Sequence, residues 1–227
     1  GDGSFRTPFN PRYSSHMKSD YTEGNAFQWS FFAPHDMDNF IAAIGGKKEL
    51  ETRLDTLFTT SSQIDGAEAS GDITGLIGQY AHGNEPSHHM AYLYNWTDSP
   101  WKGQGYLDYI MQNFYTNEPD GIIGNEDCGQ MSAWYVLSAC GLYPICPGDT
   151  RYEITSPIFE VIEIQVGAGK TFMIKANKNS DKNIYIQSVR LNGRDYTKCY
   201  LDYKDIMAGG ILELEMGNTP NFSWGIN

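Results

Sequence analysis

Three of the five histidines in this 227-residue chain fall within eight residues of AHGNEPSHHMAYLYNW (81–96), where they surround Glu85 at the entrance to an apolar segment. A turn brings His82 and Glu85 together, while His88 and His89 leave the next element in different directions. Imidazole and carboxylate are complementary partners for vicinal hydroxyls, so the group suits a hydroxyl-rich ligand, a metal, or both. A polar network tying two helices together is the plain structural alternative. A second group is YTEGNAFQWSFFAPHDMDNF (21–40), in which Glu23 precedes a glycine-containing turn and the rings of Phe27, Trp29 and Phe31. A carboxyl packed among such rings is poorly solvated as its anion, which raises its pKa toward what a proton donor needs near neutrality. A surface or helix-capping glutamate beside core aromatics is the alternative. In the third group, PDGIIGNEDCGQ (119–130), Glu126 and Asp127 stand at a glycine-flanked helix start with Gln130 and Ser132 nearby. Free backbone N–H groups there hold an aspartate as its anion, and acidic helix capping competes with that role. One carboxyl kept protonated and another kept ionised would divide acid from base.

Other chemistries receive little support. Glu85 and His89 have i,i+4 spacing, but the second histidine of HExxH is missing, so a zinc peptidase is a poor match. The DxDxDG loop of an EF-hand is absent, yet oxygen ligands from separate loops, with Asn84, Glu85, Asp127 and Gln130 as candidates, could bind calcium. Trp29, Tyr92, Trp96, Trp101 and Trp134 offer flat faces for the C–H side of a sugar, although Trp134, inside SAWYV, reads more naturally as core. Nucleotide, serine-hydrolase and RNA-binding signatures are missing. The charge of -12, from 28 acidic and 16 basic side chains, disfavours nucleic acid and is compatible with a neutral polar ligand or divalent cations. No run approaches the roughly 18 apolar residues of a membrane span. The start at Gly1, without an initiator Met, is compatible with removed targeting information. Cys128, Cys140, Cys146 and Cys199 lack zinc spacing and read as thiols, with a Cys140–Cys146 bridge open as an alternative.

The elements that must position these groups change character near residue 148. Before it, the spacing predicts helices over 34–46, 47–58, 101–115 and 127–141, a shorter glycine-weakened one over 70–83, and one from Ser87 with Met90, Leu93 and Tyr94 on its apolar side. After it, 151–166, 170–176, 182–193 and 210–217 read as antiparallel strands, with Asn192-Gly193 turning a hairpin. About six helices are half of what a toroid of paired helices uses, and four or five strands do not close a sandwich. The chain is therefore expected to be a two-layer domain or the C-terminal part of something larger, the start of the sequence favouring the latter.

The three groups occur in a fixed order. YTEGNAFQWSFFAPHD, HGNEPSHHMAYLYNW, GIIGNEDCGQMSAWYVLSACGLYPICPGDTRYEITSPIF and the terminal GGILELEMGNTPNFSWG together resemble the C-terminal part of glycoside hydrolase family 92, the calcium-dependent exo-acting α-mannosidases. The resemblance covers nearly the whole chain. It implies a mainly α fold, with residues 1–149 as later helices of a catalytic (α/α)6 barrel and 150–227 as returning antiparallel strands that pack on an N-terminal β-sandwich absent from this chain. It implies an active site between domains, Ca2+ as cofactor, single-displacement hydrolysis with inversion, terminal mannosides of glycans as partners, and a periplasmic or outer-surface location. Carried onto this sequence, the general acid is Glu23. The base is Asp127, with Glu126 as fallback. His82, Asn84, Glu85, His88 and His89 are placed around the terminal sugar or its calcium. GNED replaces the GNDD of many relatives, which lengthens reach at constant charge. Many α-1,2-specific relatives carry a His-Glu pair in the loop where this chain has Ala67-Glu68, so Glu68 is a substrate candidate and strict α-1,2 specificity is in doubt. The rival expectations are a carbohydrate-binding or structural fragment without turnover, and another inverting hydrolase acting on a different α-linked sugar.

Overall fold

Apolar spacing and capping chemistry set the helical elements. A computed structural model describes residues 7–226, so the start at Gly1 lies outside the described residues. Helix α1 (Ala26–Trp29) is only one turn long, but Asn25 and Gln28 form a reciprocal capping box that satisfies its first N–H groups. Helix α2 (Met37–Ile44) is capped by Asp36 and stopped by Gly45 at φ 111°, a backbone state glycine adopts without a side-chain penalty. Helix α3 (Lys47–Thr59) buries Leu50, Leu54, Leu57 and Phe58 at helical spacing. Helices α4 (Pro100–Asn113) and α5 (Gln130–Ala139) complete this half, and the five helices enclose one core with Tyr92, Tyr94 and Trp134 at its centre.

Two expected helices take other forms. Over 70–83 the chain makes a small hairpin, β1 (Leu76–Ile77) and β2 (Tyr80–Ala81), turning through Gly78 at φ 58°. A Cβ on Gly78 would come within 2.3 Å of Leu57 O, and Gln79 N donates to that same carbonyl at 2.7 Å. Glycine thus seats the hairpin on the end of α3 instead of merely weakening a helix. The segment after Ser87 is 3₁₀ over Met90–Trp96, preceded by a 3₁₀ turn at Glu85–Ser87. Met90 to Tyr94 are all buried, so packing on every side, not one apolar stripe, determines its winding.

The later half begins with β3 (Leu142–Tyr143) and β4 (Arg151–Ile154), which pair with β9 (Tyr200–Asp202) in the order β3-β4-β9. A five-stranded sheet contains β5 (Val161–Gly167), β6 (Lys170–Asn177), β7 (Tyr185–Leu191), β8 (Arg194–Asp195) and β10 (Gly210–Gly217), in the order β5-β6-β10-β7-β8. Asn192 and Gly193 make the β7–β8 turn with φ of 52° and 76°, as the hairpin spacing predicts. The expectation of purely antiparallel pairing is corrected at β6–β10, which run parallel. The described residues thus form a mixed α/β arrangement, not a mainly α one, and close neither a toroid nor a sandwich. All four cysteines are free thiols, so Cys140 and Cys146 are not bridged.

Polar contacts join the halves. Asn95 Nδ2 donates to Glu153 Oε2 at 3.0 Å and lies as close to the Ile154 carbonyl, while Gln104 Oε1 accepts from Ile186 N at 2.9 Å. The Arg151 guanidinium lies between two rings, 3.7 Å from the Trp96 centroid and 4.0 Å from that of Tyr200, and its Nε donates to Glu153 at 2.5 Å. Burial pushes the fully buried Glu153 carboxyl up, and Arg151 and Asn95 oppose that push. Removing one partner of such a pair leaves an uncompensated buried charge. Arg151→Met is therefore expected to cost about 3–5 kcal/mol in urea unfolding, and Arg151→Met/Glu153→Met should recover most of it. A single variant with the wild-type midpoint would show that the pair carries no such coupling.

Candidate active site

Three carboxylates from segments far apart in sequence meet on one face. Glu85 is half-buried, whereas Glu23 and Asp127 are exposed. Burial pushes the Glu85 carboxyl above its ordinary value, and the neighbouring Asp127 and Glu23 carboxyls push it further. The fold thus brings the TEGNAFQW, HGNEPSHH and GNEDCGQ segments close together. The aromatic shielding expected of Glu23 is not realised. Phe31 turns inward and is buried, Phe27 packs against the core, and the carboxylate raised by burial is Glu85.

The loops that carry these groups are built for close approach. A Cβ on Gly83 would lie 1.9 Å from Thr74 Oγ1, and one on Gly124, at φ 75°, would lie 2.7 Å from the Gly83 carbonyl. Glycine at 124 lets its backbone approach that of Gly83, and glycine at 83 lets the same loop pack against Thr74. Glu23, Asp127 and Cys128 have φ of 50°, 51° and 57°, a left-handed state that costs a non-glycine residue about 1 kcal/mol or more and concentrates at functional sites. An amide network supports the first loop: Asn25 Nδ2 donates to Gln79 Oε1 at 2.8 Å, and Gln28 Nε2 donates to the Gln79 carbonyl at 2.6 Å. From the second loop, Asn84 Nδ2 reaches across to donate to the Glu23 carbonyl at 3.0 Å.

Glu126 and Asp127 separate clearly. Glu126 accepts from Ser132 N at 3.0 Å with one carboxylate oxygen and from Ser132 Oγ at 2.9 Å with the other, so it caps α5. Asp127 is the member that faces Glu85.

The histidines form a layer behind the carboxylates, with tautomers set by their partners. Tyr115 Oη donates to the Met131 carbonyl, so it accepts from His82 Nε2 at 2.7 Å, and Tyr80 Oη donates to His82 Nδ1 at 2.8 Å. With both nitrogens engaged and no exposed surface, His82 is a network residue and is not placed to grip a ligand directly. Gln130 Nε2 donates to His88 Nδ1 at 3.1 Å, leaving His88 Nε2–H to donate to the His82 carbonyl at 2.9 Å. His89 Nε2 donates to the Phe31 carbonyl at 2.9 Å. His88, His89, Glu85 and Gln130 nevertheless line a pocket of about 340 Å³, walled by Phe32, Trp134 and Tyr143. Trp29 spends its indole N–H on the Thr22 carbonyl at 2.9 Å. Glu68 is exposed and paired with Lys18 at 2.8 Å, with no contact that ties it to the carboxylate group. Tyr80, Tyr115 and Gln79 escaped sequence reasoning because nothing in their local spacing identifies the partners that folding gives them.

Among the described residues, no group of three or more His, Cys, Asp or Glu side chains could hold a metal ion. Glu85 and Asp127 still supply hard, anionic oxygens, the donor type calcium takes, and a cation would relieve their repulsion. They fit as part of a shell whose remaining oxygens must come from amides, carbonyls, water or protein outside this group.

A profile of the glycosyl hydrolase family 92 catalytic domain matches residues 1–218, and the chain belongs to that family. It is 41% identical to the family GH92 α-mannosidase BT3965 of Bacteroides thetaiotaomicron, solved with mannoimidazole, at a TM-score of 0.92 over 99% of this chain and 30% of that one. It is 34% identical to the GH92 inverting mannosidase BT2199 of the same organism, at a TM-score of 0.84 over 99% of this chain and 31% of that one. An uncharacterized secreted glycosidase of Arthroderma benhamiae shares 31% identity over 89% of this chain and 24% of its own length. The chain thus spans roughly a quarter to a third of these relatives.

Burial holds the histidines neutral, pushing His82 down to about 2 and His88 and His89 to about 4, from an ordinary 6.5. The unfolded chain binds protons on these residues below its ordinary value while the folded chain does not. Their contribution is therefore fully present above about pH 6.5 and is lost as pH falls toward 4, at roughly 1.4 kcal/mol per pH unit for each histidine. Urea midpoints at pH 7 and pH 5 should differ by an amount equivalent to several kcal/mol, and a flat profile would mean that the three titrate normally in the fold.

Proposed function

We propose that this chain is the C-terminal portion of an exo-acting α-mannosidase that hydrolyses terminal α-linked mannosides by calcium-dependent single displacement with inversion. The observation that carries the reading is the convergence of Glu23, Glu85 and Asp127 from the three family motifs. Residues 1–149 would contribute later helices of an (α/α)6 barrel and 150–227 the returning strands, against an N-terminal β-sandwich of the same enzyme. The name of the secreted fungal relative supports an extracytoplasmic location.

In this mechanism Glu23, protonated, donates to the glycosidic oxygen as the bond to the anomeric carbon breaks. Asp127 accepts a proton from the water that attacks from the opposite face. Asp127 is favoured over Glu126, the fallback base, because Ser132 donates a hydrogen bond to each of the Glu126 oxygens. Inversion needs room for the water, so the reacting carboxyls should stand roughly 6.5–9.5 Å apart with substrate bound. Asn84, Glu85 and Gln130, with Asp127 beside them, are the residues that would hold calcium. When bound, it supplies positive charge and a geometric constraint on mannose hydroxyls. His88 and His89 line the adjoining pocket, and His82 holds the ring of His88 through its carbonyl. The linkage preference, α-1,2 or a related bond of N-glycans or mannans, would depend on the loop of Ala67 and Glu68.

The test uses the complete enzyme and mannosides that differ in leaving group. Glu23→Gln should lose about 10² to 10⁴ in kcat on a disaccharide and much less on a 2,4-dinitrophenyl mannoside, which needs little proton donation. Asp127→Asn should lose heavily on both, and NMR of the first product should show the inverted anomer. Retention, or equal losses for Glu23→Gln on both substrates, would overturn the assignment. Chelation that leaves activity intact would remove calcium from it, and sugar binding without turnover would favour a carbohydrate-binding fragment.

A further inference from the structure

The turn that carries Glu23 is held from both sides. Trp29 Nε1 donates to the Thr22 carbonyl at 2.9 Å, and Asn84 Nδ2 donates to the next carbonyl, that of Glu23, at 3.0 Å. Between these bonds lies the Glu23 α-carbon, at φ 50°. Trp29 is well placed to anchor it. It ends the capped helix α1, its ring meets Phe32 edge-on at 5.2 Å, and its indole lies so close under Gly24 that a Cβ there would be 2.9 Å from Nε1.

We propose that Trp29 is a positioning residue for Glu23, not a stacking surface for sugar. The inference rests on Glu23 being the proton donor. A glutamate released from the left-handed region relaxes toward negative φ, which swings its Cα–Cβ bond and re-aims the carboxyl. Misplacing a catalytic group by about 1 Å costs on the order of 10²-fold in rate. The indole N–H prevents that swing by fixing the carbonyl just before Glu23, while Asn84 fixes the one just after.

Two substitutions disturb this arrangement by separate routes. Trp29→Phe removes the N–H donor and keeps an aromatic ring. Gly24→Ala places a methyl against the indole, and Gly24 is not in the left-handed region, so its backbone accepts alanine. Each is assayed in the complete enzyme on a mannose disaccharide and on 2,4-dinitrophenyl α-mannoside, with thermal melting to establish folding. The expected result is a kcat loss of roughly 10- to 100-fold on the disaccharide, a loss at least several-fold smaller on the activated substrate, and little change in KM. Trp29→Phe added to Glu23→Gln should cost nothing further on the disaccharide. A rise in KM with equal kcat losses on both substrates would return Trp29 to a sugar-contacting role and overturn the proposal, as would additivity with Glu23→Gln. Should Trp29→Phe fail to fold, Gly24→Ala decides by the same criteria. If Glu23→Gln discriminates between the substrates and neither of these variants does, the positioning role fails alone. If Glu23→Gln does not discriminate, the acid assignment fails and takes the positioning role with it.

Discussion

The close approach of two glycine backbones is the constraint on which the carboxylate face depends. Gly83 and Gly124 belong to segments some forty residues apart, and a methyl on either would strike Thr74 or the opposing carbonyl. Asn84 and Glu85 follow one glycine directly, and Glu126 and Asp127 follow the other shortly after. Contact between backbones thus becomes proximity between carboxylates, at the cost of bringing like charges together. That repulsion has to be offset by the rest of the fold, and the offsetting structure is visible in the amide network of Asn25, Gln28 and Gln79 and in the capping of α5 by Glu126.

The histidines belong to the same economy of charge. Cations beside Glu85 and Asp127 would neutralise the face and, under the proposed function, weaken its attraction for a metal ion or for positive charge developing on a sugar ring. Burial instead keeps His82, His88 and His89 neutral, and their hydrogen-bond partners fix which nitrogen carries the proton. His88 connects the layers: it takes a hydrogen bond from Gln130 at the head of α5 and gives one to the carbonyl of His82, so the GNED and HGNE loops are tied through imidazole as well as through glycine.

Much of this was legible in the sequence, and what was not has identifiable causes. Helices α2, α3, α4 and α5 follow apolar spacing and end signals such as Gly45, and the Asn192-Gly193 turn follows from its residue types. The 70–83 hairpin was hidden because a glycine that weakens a helix and one that permits a tight turn look alike without the carbonyl of Leu57 opposite. The parallel pairing of β6 with β10 is a long-range choice that alternation cannot express. At the site, residue types marked the three groups that the fold brings near one another, but the division between Glu126 and Asp127 depended on Ser132, in the first turn of α5. The tyrosines that fix His82 come from β2 and from beyond the end of α4, where no motif marks them.

The greatest departure concerns Glu23, and it bears directly on the proposed chemistry. The sequence suggested a carboxyl sheltered by Phe27, Trp29 and Phe31, but those rings serve the core and the turn, and Glu23 stands exposed. A proton donor in glycoside hydrolysis works best where water is excluded, because water competes both for its proton and for the anomeric carbon. In this chain rigidity is supplied and dryness is not: the turn is pinned at its carbonyls while the carboxyl is left open. Under the proposed role of Glu23 as proton donor, its shelter would be supplied by the bound sugar itself or by further protein of the kind that makes up most of the relatives' length. Under that proposal aim and environment would have separate sources, with this chain fixing the first and substrate and neighbouring protein completing the second.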